Sequence, residues 1–234
     1  MLVALFIALA SPAAAVSFAA VCACVGTVLF RSAPALAHWR IEPRRAASLF
    51  GPLAEPGFMS LLAVIVCYAS AFGLVEVGTT AYAIEIGRPA MAGVLLGIMS
   101  VGSVAGGLVY GSRSWRLPLG RQFSVTLGLM SLGVAPLMLL SSAWAFGSWC
   151  VVAGIVMAPA LIMQSMLVAK ISRPEHSTEA FTWSATGLLA GVGFGLIAGG
   201  ALLEYTRSPA VFAAAAVMSF TAGVLALRLV GVRR

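Results

Sequence analysis

Charge is what this sequence has least of. Only 9% of its 234 residues are charged, 61% are hydrophobic and the mean hydropathy is +1.05, whereas a soluble domain carries about 25% charged residues. A water-soluble globule is excluded. Converging polar groups are also missing: neither a carboxylate pair nor a His-Glu zinc motif falls inside an apolar stretch, so an intramembrane enzyme lacks the set it would need. No Walker A loop is present, and an ATP-driven pump would need another chain. No cofactor is implied. The four cysteines, Cys22, Cys24, Cys67 and Cys150, all lie in hydrophobic segments, where a free thiol behaves as a small apolar group. Cys22 and Cys24 point to nearly opposite sides of a helix, so packing is preferred to chelation. His38 and His176 fall in polar connections without other ligands and read as solvated.

What is there is a series of charge-free runs. They cover residues 1–30, 56–75, 89–112, 122–169, 180–203 and 208–227. A membrane-crossing helix needs about 20 apolar residues, so the longest run holds two crossings, split near Ser141 and Ser142. The net charge of +7 does not imply nucleic acid, because the basic residues mark loops rather than one folded face. With residues 31–55 on the inside and alternation from there, Arg31, Arg40, Arg44, Arg45, Arg113, Arg116, Arg121, Lys170, Arg173, Arg228, Arg233 and Arg234 fall inside. Only Arg88 and Arg207 fall outside. That bias is the positive-inside signal. Trp39, Trp115 and Trp183 then lie near the inner boundary and Trp144 and Trp149 near the outer one, where an amphipathic ring is best accommodated.

Residues 2–10 read as the tail of one helix, Ser11-Pro12 as a tight outer turn and 13–30 as a full crossing. A cleaved signal peptide is the rival for 1–15, but it lacks the positive n-region. The connection 31–57 carries Pro34, Pro43, Pro52 and Pro56 and reads as a cytoplasmic linker with one short interfacial helix. Six crossings follow, at 58–83, 90–111, 123–141, 145–169, 180–203 and 209–228. They divide into two triplets, each with a glycine-rich middle helix. Gly187, Gly191, Gly195 and Gly199, spaced four apart, form one stripe for close helix packing, with a gliding surface as the functional alternative. Nested three-helix repeats of this kind are found in secondary transporters.

These features resemble the C-terminal half of a major facilitator superfamily transporter, closest to bacterial efflux-like members. The resemblance rests on the Pro-broken loop after Phe30, the two triplets, the segment Gly107-Leu-Val-Tyr-Gly111-Ser-Arg113 followed by Arg116, and the run from Thr178 through Trp183 into the glycine stripe. It implies an all-α fold: a polytopic membrane helix bundle, a six-helix half made of two three-helix repeats (58–234), preceded by one crossing and a truncated helix (1–30). The family's loop signature places Asp where Gly111 stands and Arg where Ser112 stands. Gly107 and the basic Arg113 and Arg116 are kept, which implies anchoring of the loop at the inner membrane surface. The resemblance further implies a missing N-terminal half, supplied upstream or by a second chain.

An ionisable group within a span marks a functional hypothesis, and Glu76 is the candidate here. At 100° per residue Tyr68, Phe72, Glu76 and Thr79 fall within about 80° of one another, a polar-aromatic stripe suited to a cavity wall. Glu76 then carries protons or binds substrate; a helix-contact or snorkelling carboxyl is the alternative. Gln164 can hydrogen-bond a substrate or a neighbouring helix, and Thr182 and Thr186 are of the same rank. Ser172 and Glu175 have capping-box spacing, and Glu179 lies in a first helical turn. The expectation is a secondary transporter of a bacterial inner membrane, exporting a small molecule by alternating access, with proton antiport as one mode. Its partners are membrane lipid, a small-molecule substrate and the missing half. A non-transporting assembly subunit or intramembrane enzyme is the rival.

The charge bias makes the topology testable. With the four native cysteines replaced, Ser114→Cys should react with a membrane-impermeant thiol reagent only in inside-out vesicles; labelling from the outer face would invert the orientation.

Overall fold

The computed structural model describes residues 12–32 and 51–231. The expected helix tail 2–10, Ser11, the linker residues 33–50 and the last three residues lie outside them. The chain divides into two compact units, residues 1–47 and 48–234. In the first, helix α1 runs Pro12–Arg31. Proline opens it, where its missing N–H costs nothing, and Arg31 sits in its last turn.

The second unit is all-helical. A 3-10 turn, Gly51–Ala54, leads into α2 (Phe58–Glu85), α3 (Met91–Gly111), α4 (Leu119–Val134), α5 (Ala143–Gly154), α6 (Met157–Ile171), α7 (Ser177–Tyr205) and α8 (Ser208–Ala226). Positive φ occurs only twice among the described residues, and both glycines bound α2. Gly57 (φ 88°) precedes it and Gly87 (φ 70°) follows it. At its end Arg88 N–H donates to the Ala83 carbonyl at 2.9 Å and Gly87 N–H to that of Ile84 at 2.9 Å. This left-handed stop is completed by Pro89, which cannot continue a helix.

Five described stretches are long and apolar enough to cross a membrane: Phe58–Glu85, Met91–Gly111, Ala143–Ile171, Pro174–Tyr205 and Ser208–Leu229. The crossing expected at 123–141 is shorter as an α-helix. It ends at Val134 and continues as the 3-10 turn Ala135–Met138, because Pro136 removes a donor. Helix and turn together span roughly 32 Å, enough for the hydrocarbon core.

The crossing expected as one helix at 145–169 is broken into α5 and α6 at Ile155 and Val156. Pro159 has no N–H, so the Ile155 carbonyl four residues earlier loses its helical partner. That carbonyl lies against Gly106 of α3, where any Cβ would collide with it. The same happens at Gly102 against the Val151 carbonyl and, reciprocally, at Gly154 against that of Met99. Helices α3 and α5 thus touch backbone to backbone.

The glycine stripe of α7 does the same on α2. Gly187 faces Leu62, Gly191 the Val66 carbonyl, Gly195 the Ser70 carbonyl and Gly199 Val77, while Gly73 of α2 faces the Val192 carbonyl. Packings α2 on α7, α3 on α5 and α6, and α4 on α8 are exchanged into one another when the triplets are exchanged. The first helix of each triplet meets the second of the other, and the third meets the third. This is the contact pattern of a repeated three-helix unit. The interior is filled by Phe58, Tyr68, Phe123, Leu127 and Met163 toward one end and by Leu74, Met130, Phe146 and Phe212 toward the other.

Gly195 and Gly193 separate packing from composition. Gly195→Ala should destabilise the bundle by about 1–3 kcal/mol through overpacking. At Gly193 a Cβ meets nothing within 4 Å, and Gly193→Ala should stay within about 0.5 kcal/mol of the parent. Unfolding in detergent, followed by circular dichroism, checks both.

Candidate functional site

The polar stripe of α2 is split by the packing of that helix. Along it Tyr68 and Thr79 lie about 20° apart, Glu76 about 80° and Thr80 about 120° from Tyr68. Tyr68 and Thr79 are fully buried, Phe72 is half-buried, and Glu76 and Thr80 are exposed. The expected single wall is therefore an inward edge and an outward edge. On the outward edge the Thr80 hydroxyl donates to the Glu76 carbonyl at 2.9 Å. Glu76 makes no ion pair among the described residues. On the inward edge the Thr79 hydroxyl is buried without a hydrogen-bond partner among the described residues.

The inward edge feeds a buried polar chain. The Tyr68 hydroxyl donates to Gln164 Oε1, and Gln164 Nε2 donates to Ser184 Oγ at 2.7 Å. Gln164 is 6% and Ser184 3% exposed, so neither group has water to satisfy it, and each must find its partner within the protein. The chain ties α2, α6 and α7. The Tyr68 ring is set edge-on to Phe72 (5.3 Å) and Phe123 (5.8 Å), a favourable geometry for aromatic quadrupoles.

Of the residues singled out in the sequence, the structure brings Tyr68, Phe72 and Gln164 together. Thr182 and Thr186 are exposed, and the Thr182 hydroxyl bonds the Thr178 carbonyl of its own helix at 2.9 Å. The residue that reaches Gln164 is Ser184, absent from the sequence-based set. Its signal was available: Ala180, Ser184, Gly187, Gly191, Gly195 and Gly199 are the buried residues of α7, so Ser184 continues the small-residue stripe.

Two carboxylates missed in the sequence close the ends of the bundle. Glu85 accepts from Ser208 N–H at 2.8 Å and from Ser208 Oγ at 2.9 Å, which satisfies the first turn of α8 and complements its dipole. Glu55 pairs with Arg173 at 2.9 Å, joining the chain before α2 to the α6–α7 connection. The capping box expected from Ser172 and Glu175 does not form. Ser172 Oγ donates to the Val168 carbonyl at 2.7 Å instead, and the helical turns after it have no side-chain cap.

In the loop after α3, Gly107 packs on Ala158 and nothing crowds Gly111. Arg113 and Arg116 are exposed. Trp115 stacks on Tyr110 with ring centres 5.6 Å apart, and its indole N–H donates to the Tyr110 carbonyl at 3.1 Å. The loop is thus folded back on the end of its own helix.

The buried chain should behave as a unit. Gln164→Leu leaves the Tyr68 hydroxyl and Ser184 unpartnered and should cost about 1–3 kcal/mol. A double-mutant cycle of Tyr68→Phe with Gln164→Leu should give a coupling of about 0.6–1.7 kcal/mol, read from unfolding in detergent.

A search of curated proteins gives no significant match. The family model described as Major Facilitator Superfamily matches residues 88–234, more than half of the chain and all of α3 to α8. This all-α bundle of membrane-spanning helices belongs to the major facilitator superfamily, a family of multi-pass membrane transporters.

Proposed function

We propose that the chain is the C-terminal portion of a secondary transporter of a bacterial inner membrane that exports a small molecule by alternating access. Residues 58–234 act as one wall of the transport path, 31–57 form a cytoplasmic linker, and the opposite wall comes from an N-terminal half or a second chain. The observation that carries this reading is Glu76. It is exposed on α2, a helix whose apolar core segment is 61% buried within the chain. Ionisable groups in spans almost always face a bundle interior or a water-filled cavity rather than lipid. An uncovered Glu76 therefore calls for a cavity and for protein across it. Helices α3 and α7 bury only 28% and 22% of their spans within the chain, which supports a second bundle on their free faces.

On this reading Glu76 carries the coupling proton or meets a cationic substrate. Thr182 and Thr186 add hydroxyls on the free face of α7. Tyr68, Phe72 and Gln164 hold α2 against α6 and α7 behind Glu76. The loop with Gly107, Gly111, Arg113 and Arg116 anchors α3 at the inner surface.

Glu76→Gln keeps shape and hydrogen bonding but removes the exchangeable charge. In a carrier reassembled with its other half in liposomes, proton coupling at Glu76 requires pH-driven transport to fall to the level seen without a gradient, while substrate exchange persists. Loss of both would mark a cationic-substrate contact. Unchanged rates in both assays would show that Glu76 takes no part in transport.

A further inference from the structure

Between α3, α4 and the break separating α5 from α6 lies an apolar groove of about 290 Å³ that the transport reading leaves unused. Ala105 and Val109 line it from α3, Val125 and Leu129 from α4. The polar side chains on its walls are already engaged. The Tyr110 hydroxyl donates to Gln122 Oε1 at 2.9 Å, Gln122 Nε2 donates to the Leu117 carbonyl, and the Thr126 hydroxyl meets Met163 Sδ at 3.8 Å. A ligand inside would therefore meet hydrocarbon and no vacant donor.

The rim is different in character. Trp115 and Leu117 line the groove and are exposed. Arg116 stands between them, Arg113 two residues before Trp115, and Arg121 beside the lining residue Gln122. All three arginines are exposed and make no ion pair among the described residues. No acidic residue occurs between Gly111 and Gln122. Among the described residues no carboxylate compensates their charge. From Gln122 to Leu129 the groove follows α4 for roughly 10 Å, room for several methylenes.

Hydrocarbon inside, an amphipathic ring at the rim and cations beyond it form the complement of one ligand class. We propose that this groove binds an acyl chain of an anionic phospholipid whose phosphate rests on Arg113 and Arg116. A guanidinium recognises phosphate by charge-assisted hydrogen bonds, and basic residues beside a span attract anionic headgroups. The lipid fills the α3–α4 cleft from the bilayer side and holds the loop to the membrane surface. This site does not depend on what the protein transports.

The full chain in vesicles containing phosphatidylglycerol with a photoreactive diazirine in its acyl chain provides the test. Crosslinks, mapped by peptide mass spectrometry, should fall on residues 105–109 and 125–129, and unlabelled phosphatidylglycerol should compete where phosphatidylcholine does not. Arg113→Gln with Arg116→Gln should lower labelling roughly twenty-five-fold, about fivefold per arginine, and the corresponding double Lys variant should restore most of it. Ala105→Phe, at an exposed position, should block labelling by filling the groove. Absence of crosslinks there, equal competition by phosphatidylcholine, or labelling indifferent to the arginines would each overturn the site. The arginine variants change exposed loop residues only, so the test stands even if Ala105→Phe fails to fold.

Discussion

Helix backbones pressed onto one another at glycine are the constraint on which the remaining structure depends. In lipid, apolar side chains gain little by leaving one hydrocarbon environment for another, so association rests on packing and interhelical hydrogen bonds. This chain meets that condition twice, with Gly73, Gly191 and Gly195 at the α2–α7 crossing and Gly102, Gly106 and Gly154 at the α3–α5 crossing. The two crossings are counterparts under exchange of the triplets. Around them α4 and α8 close the bundle through side-chain hydroxyls on backbone: Ser124 to the Gly223 carbonyl at 2.7 Å and Ser131 to that of Ala216 at 2.8 Å.

The close approach of α2 and α7 also sets the polar interior. Ser184 lies three residues before Gly187 on the same face, so the contact that seats the glycines carries Ser184 toward α6 and Gln164. Tyr68 completes the chain from α2. The buried amide is satisfied by two helices that are themselves fixed by glycine. Glu76, two turns along α2 from Tyr68, lies on the edge that this packing turns outward.

Much of this was legible before any coordinates. The spans follow from charge-free runs, the glycine stripe from its spacing of four, and the family from the triplets and the loop after α3. What escaped the sequence depends on a second element. Pro159 is visible in the chain, but the fate of the carbonyl it releases depends on Gly106 in another helix. The stripe of α2 is polar at both edges, so periodicity alone does not say which edge faces inward. Glu85 and Glu55 could not be given a role from the sequence because their partners, Ser208 and Arg173, are remote in it.

The teeth of the α2–α7 contact limit how those helices can move. Beside Gly191 and Gly195 of α7 stand Val192 and Leu196, and a shift by one residue would press those side chains onto the Val66 and Ser70 carbonyls that now have glycine beneath them. The register is regained only after four residues, about 6 Å along the axis. For smaller displacements the interlocked backbones favour α2 and α7 moving as one body, so that a push on the free face of one is carried to the other.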